Sequence, residues 1–129
     1  FDHIGPQPRT QNLFHRHKNV AIWRSAAGLL QATGSFLDSF HEVGVVVECE
    51  LSGEIKNFAA TFMRAPDQIC FGTALLVKSL IGKNIRQLTR RDINSCAGGA
   101  EGCAHLWDIG RDTLVELGKA LDSIDGTRL

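Results

Sequence analysis

The stretch VGVVVECELSGEIKNFAATF, residues 43–62, decides the fold. Two alternating runs, 43–51 and 54–62, are joined by Ser52-Gly53. A two-residue loop ending in glycine predicts a tight β-hairpin. That loop sets the register: Leu51 opposes Glu54, Val47 opposes Phe58, Val45 opposes Ala60 and Val43 opposes Phe62. One face then carries Val43, Val45, Val47, Phe58, Ala60 and Phe62, enough to cover a core. Near the turn the same face becomes polar, with Cys49 opposite Lys56, so the tip is expected to project past the core. Run backwards, the alternation puts His41 on the core face and Glu42 on the other.

Outward from the hairpin, residues 20–24 (VAIWR) and 35–40 (SFLDSF) alternate and predict two earlier strands, with Gly28 and Gly34 punctuating the stretch between. After Pro66-Asp67 the period becomes helical. Ile69, Ala74, Val77, Leu80 and Ile81 form an apolar stripe that ends at Gly82. Residues 83–95 predict a short amphipathic helix or irregular crossing, with Arg86, Arg90 and Arg91 on a solvated side. A glycine-rich loop, residues 97–102, leads into a long helix from about Cys103 to Leu121. Leu106, Gly110, Leu114, Leu117 and Leu121 line its buried side, flanked by Trp107 and Val115, and Gly110 and Gly118 suggest close packing on another backbone. Asp108, Asp112 and Glu116 form a solvated face with Arg111 and Lys119. Trp23 and Trp107 are expected as core anchors. Strands first and helices after predict an α+β fold: an antiparallel meander of three to four strands with helices on one face. Residues 1–18 read as an extended or mobile lead-in, 19–122 as one domain and 123–129 as a fraying tail. His15 and His17 read as solvated.

Composition narrows the function classes. The 129 residues are 43% apolar and 22% charged, as in one globular domain. Lys+Arg and Asp+Glu are both 14, a balance that argues against a nucleic-acid partner. No apolar run approaches the roughly 20 residues of a membrane span. The chain starts at Phe1 and not Met, so a processed or trimmed start is expected and a lost targeting segment stays open. Cys49, Cys70, Cys96 and Cys103 are scattered without a Cys-x-x-Cys, which suggests a reducing, cytoplasmic setting with free thiols or metal ligands. Cys49 and Cys96 are expected to be small buried hydrophobes.

Four chemistry-bearing side chains fall at ends of the expected elements: His41 before a central strand, Cys70 in the first turn of the first helix, and Cys103 and His105 opening the last. An antiparallel sheet with helices laid on it can bring such ends to one rim. Two imidazoles and two thiols suit zinc or iron, and helix N-termini favour thiolate.

The stretch GGAEGCAHLWDI, residues 98–109, is similar to the signature of an uncharacterised bacterial family, domain of unknown function 2889. That family has a Gly-Gly loop followed by Gly-Cys-Thr-His-Leu, a His-Asp-Met before a central strand, and a lone Cys after a later strand. The matching residues here are Gly102-Cys103-Ala104-His105-Leu106, His41-Glu42-Val43 and Cys70; Glu42, Val43 and Ala104 depart from the pattern. More distantly, the order of these residues resembles the iron–sulfur cluster scaffolds of the IscU/NifU type, with His41 in place of the first scaffold cysteine.

The two resemblances imply an IscU/NifU-like fold carrying a metal site at the sheet rim. The implied ligands are His41, Cys70, Cys103 and His105, with Glu42 as a fifth ligand or a base. The ion would be zinc, mononuclear iron or a small iron–sulfur cluster. Expected partners are a metal ion and a small-molecule substrate, with self-association left open. Three alternatives stand beside this: a metal-free thiol enzyme using Cys103 with His105 or His41 as base, an anion-binding module built on the 98–102 loop, and a structural or interaction domain with no metal.

Overall fold

Alternation of apolar and polar residues makes four strands, and the computed structural model pairs them in chain order into one antiparallel sheet. The structure describes residues 11, 13–64, 73–97 and 104–125. The strands are β1 (Arg16–Arg24), β2 (Leu30–Asp38), β3 (Glu42–Cys49) and β4 (Ile55–Arg64). Two 3-10 helices follow, Thr73–Leu80 and Ile85–Gln87, then α1 (Arg90–Ala97) and α2 (Ala104–Asp125). The architecture is the expected α+β meander.

One face of the sheet is the core. Leu30, Ala32, Phe36, Val43, Val45, Val47, Phe58 and Phe62 are buried there, and α2 meets them with Leu106, Ile109, Leu114, Leu117 and Leu121. Each of these side chains other than Ala32 contributes about 1.5–3 kcal/mol by leaving water. Gly34 sits in the middle of β2 and is not the turn residue its composition suggests. A Cβ there would overlap Thr113 Oγ1 and come within 3.1 Å of Ile109 Cγ1. The missing side chain is what lets α2 lie so close to the sheet. The close approach expected at Gly110 is absent: a Cβ there would meet nothing within 4 Å.

The hairpin register holds where it was read, with Val43 opposite Phe62, Val45 opposite Ala60 and Val47 opposite Phe58. It slips at the tip. A shift between Glu48 and Cys49 puts Cys49 opposite Ile55 instead of Lys56. The loop is three residues: Gly53 N–H donates to Glu50 O at 2.8 Å, and Gly53 takes φ +99°. That is the arrangement in which a turn is followed by a left-handed residue, and it absorbs the extra position. The tip does not project past the core. Cys49 and Ile55 are fully buried because residues 82–85 pair onto it, through Ile55 N–H to Lys83 O and Ile85 N–H to Gly53 O, each 2.8 Å.

Other expectations shift for similar reasons. β1 begins at Arg16, inside the expected lead-in, because an edge strand covered on one side needs little apolar alternation. Trp23 is 44% exposed on the open face of that strand and is no core anchor, and Val115 and Ile81 are also exposed. Trp107 is half-buried and donates from Nε1 to Asn94 Oδ1 at 2.6 Å. The last helix runs on into the first residues of the expected tail, to Asp125. Of the first apolar stripe, Val77 and Leu80 are buried, and they lie in 3-10 turns rather than an α-helix. Ile69 lies outside the described residues, as does the Ala74 side chain. No described helix is long and apolar enough to cross a membrane.

Candidate metal centre

The β2–β3 connection builds the site. Asp38 is the last residue of β2, on the core face, and only Ser39, Phe40 and His41 separate it from β3. Asp38 N–H donates to His41 O at 2.9 Å. Its carboxylate Oδ1 accepts from the backbone N–H of Phe40 at 2.8 Å and of His41 at 2.7 Å. Aspartate suits this place because a short carboxylate satisfies the backbone of a tight turn. Arg64 ties the same turn to β4, donating to Ser39 O at 2.7 Å and Asp38 O at 2.9 Å.

His41 then folds back, with Nδ1 3.1 Å from Asp38 Oδ1. His105 reaches the same carboxylate from the first turn of α2, with Nε2 3.5 Å from Asp38 Oδ2. The two imidazoles stack with centroids 3.7 Å apart and planes 25° apart. Phe36 closes the inner side, its ring edge-on to His105 at 4.9 Å. Asp38's side chain is 4% exposed, His41's 14% and His105's 28%, so the cluster opens to solvent on its histidine side.

The electrostatics follow from this packing. Burial by itself would raise the Asp38 carboxyl. The two backbone N–H groups outweigh it and, with His41, hold the carboxyl down at about 2. His105 is pushed below the ordinary histidine value, first by burial and then by His41, with Asp38 opposing. At neutral pH the site therefore presents an ionised carboxylate and a neutral His105, the forms in which both donate to a cation.

One donor atom from each of Asp38, His41 and His105 lies within 4.8 Å of the other two. The 3.5 Å from Asp38 Oδ2 to His105 Nε2 is close to the separation of about 3.4 Å between two donors of a tetrahedral ion with bonds near 2.0–2.1 Å. These three donors, one oxygen and two nitrogens, would hold a divalent ion, and the cluster is most exposed on its histidine side.

Of the residues singled out in the sequence, the structure brings His41 and His105 together. Cys70, Cys103 and the 98–102 loop lie outside the described residues, as does the Cys96 side chain. Glu42 opens β3 on the face away from His41, in register with Arg64. Cys49 is a buried free thiol, raised to about 11 mainly by burial, as a small hydrophobe should be. Asp38 was missed. Its signal was an aspartate three residues before His41, at the end of an alternating run, which read as strand. Asp108 belongs instead to the helix–sheet seam, where it and Asp112 take Lys18 Nζ at 3.0 and 2.9 Å.

No curated protein and no solved structure matches the chain. A family profile does match, over residues 14–119, and it spans all three members of the cluster. The chain belongs to that family, described as "Protein of unknown function (DUF2889)".

Proposed function

We propose that this domain binds one transition-metal ion at the sheet rim through Asp38, His41 and His105. The observation that carries the reading is the convergence of a buried, ionised carboxylate and two imidazoles within 4.8 Å. Two histidines and one carboxylate suit zinc or mononuclear iron(II), and three protein donors leave positions open for water or a substrate. An ion so held lowers the pKa of bound water and polarises a bound oxygen, chemistry fit for a metal-dependent enzyme on a small molecule in a reducing cytoplasm. Cys103, two positions before His105, and Cys70 are the further donors that the sequence suggests. A cluster like those on the IscU/NifU-type scaffolds would depend on those thiolates, since clusters are held by cysteine; the oxygen and nitrogen donors favour a single ion.

A second reading has its own observation. Asp38 Oδ1 already accepts from two backbone N–H groups and lies 3.1 Å from His41 Nδ1, a complete cap for the turn. On that reading the cluster is a metal-free structural hub.

Metal and sulfide content of untagged protein purified without oxygen separates the two. About one zinc or iron per chain is expected, with affinity reduced at least about tenfold in His41→Ala and in His105→Ala while circular dichroism stays native. Iron with sulfide, retained in His105→Ala but lost in Cys103→Ala, would move the site to the thiolates. No metal after reconstitution, with all proteins folded, would leave the structural hub.

A further inference from the structure

Arg16 is the cross-strand partner of Asp38 in the β1–β2 ladder. Residues so paired share a face, with Cβ atoms about 5 Å apart, and an Arg beside a buried carboxylate ordinarily forms an ion pair. Arg16 does not. Asp38 Oδ1 is taken by the turn and His41, and Oδ2 faces His105. The Arg16 guanidinium lies instead over two rings, 5.7 Å from the Phe14 centroid and 5.5 Å from that of Phe36. Among the described residues it makes no hydrogen bond and no ion pair. A cation–π contact holds a guanidinium through its charge and leaves its N–H groups free, the groups that match a carboxylate in two parallel bonds.

Phe36 is the shared wall: its ring is 5.5 Å from the guanidinium carbon and 4.9 Å from the His105 ring. Arg16 and His105 thus both lie against Phe36, and Arg16 is the cross-strand partner of the candidate ligand Asp38, which places an unpaired cation beside the cluster. We infer that Arg16 anchors the carboxylate of a small organic acid whose other oxygen donors reach the ion at Asp38, His41 and His105. This rests on the metal reading above. One guanidinium suits a single carboxylate group. The neighbouring cations are already engaged, Lys18 with Asp108 and Asp112 and Arg64 with two carbonyls, so the several donors that a phosphate dianion recruits are missing. Half-exposed Phe14 beside the guanidinium supplies an apolar flank for the acid's carbon chain.

The test uses the whole chain loaded with cobalt(II), whose visible absorption reports its coordination. Cobalt is titrated first, then acetate, pyruvate and oxalate in turn, and inorganic phosphate, into native, Arg16→Gln and Arg16→Lys proteins. A saturable change is expected with pyruvate or oxalate. It should weaken by about tenfold or more in Arg16→Gln and less in Arg16→Lys, with cobalt binding not weakened in either. Equal acid affinity in native and Arg16→Gln overturns the proposal, as does tighter binding of phosphate than of any acid. No spectral change with all three acids also overturns it. Failure of cobalt to bind native protein removes the ligand reading itself, and it shows before any acid is added.

Discussion

The two ends of β3 are built from opposite materials. At the Cys49 end the chain closes on itself: a glycine turn, a bulge and residues 82–85 bury Cys49 and Ile55 completely. At the Glu42 end the turn is closed by a carboxylate, and two imidazoles gather on that carboxylate. Both ends satisfy their backbone. Only one does so with groups that can also hold a cation or a proton. A strand whose far end is sealed by apolar packing gives the polar end a rigid base, and precise placement of ligands needs that support.

The sharpest way to break this contrast is at Asp38. In Asp38→Ala the N–H groups of Phe40 and His41 lose their acceptor in a buried turn, which should cost about 3 kcal/mol of stability in urea denaturation, together with any metal binding. Asp38→Asn keeps an acceptor for both N–H groups, so it should recover much of that stability and still bind metal poorly. A full loss of stability in Asn as well would show that charge, and not the cap, holds the turn.

The pH extremes should attack the two ends separately. The Asp38 carboxyl is lower in the folded protein, about 2 against 3.8, so the fold binds this proton less readily than the unfolded chain. Its stabilisation is present above pH 4 and is lost as pH falls toward 2, by about 2 kcal/mol in metal-free protein. The Cys49 thiol runs the other way. Its folded value is raised from 9.0 to about 11, so the unfolded chain ionises first and stability falls between pH 9 and 11, by a similar amount of about 2 kcal/mol. Cys49→Ala should flatten the alkaline limb of a pH series of urea midpoints and leave the acid limb alone. Asp38→Asn should do the reverse.

The smallest effect is expected at the sealed turn. Gly53 has φ +99°, and a Cβ there would sit 2.6 Å from Asn84 Oδ1, the end of a side chain that donates to Ser52 O. Gly53→Ala should cost about 1–2 kcal/mol and leave metal affinity unchanged. A change in affinity would mean that strain at one end of β3 reaches the other.

The sequence carried the sheet well. Alternation through residues 43–62 was enough for the core face and most of the register, because a period of two in a half-buried strand admits one orientation. It failed at Cys49, where the turn took three residues and a bulge followed. It also failed at Trp23, since aromatic character says nothing about which face of an edge strand is covered. Two of the three members of the candidate site were legible. His41 stood out by strand phase and His105 by its place at the start of a helix. Asp38 did not, because an aspartate before a turn is most often only a cap, and here it is a cap as well.

By itself, then, the sequence determined the α+β class, the core face of β3 and β4, and two of the three residues of the cluster, since periodicity and position within an element are local properties of the chain. Only the tertiary structure decided that the N-terminal turn of α2 lies against the β2–β3 turn. Gly34 lets that helix down onto β2, and residues 38 and 105 become neighbours across 3.5 Å. A contact made by packing one element on another leaves no local pattern, so the meeting of Asp38 with His105, and of Arg16 with Phe36, could be read only from the folded chain.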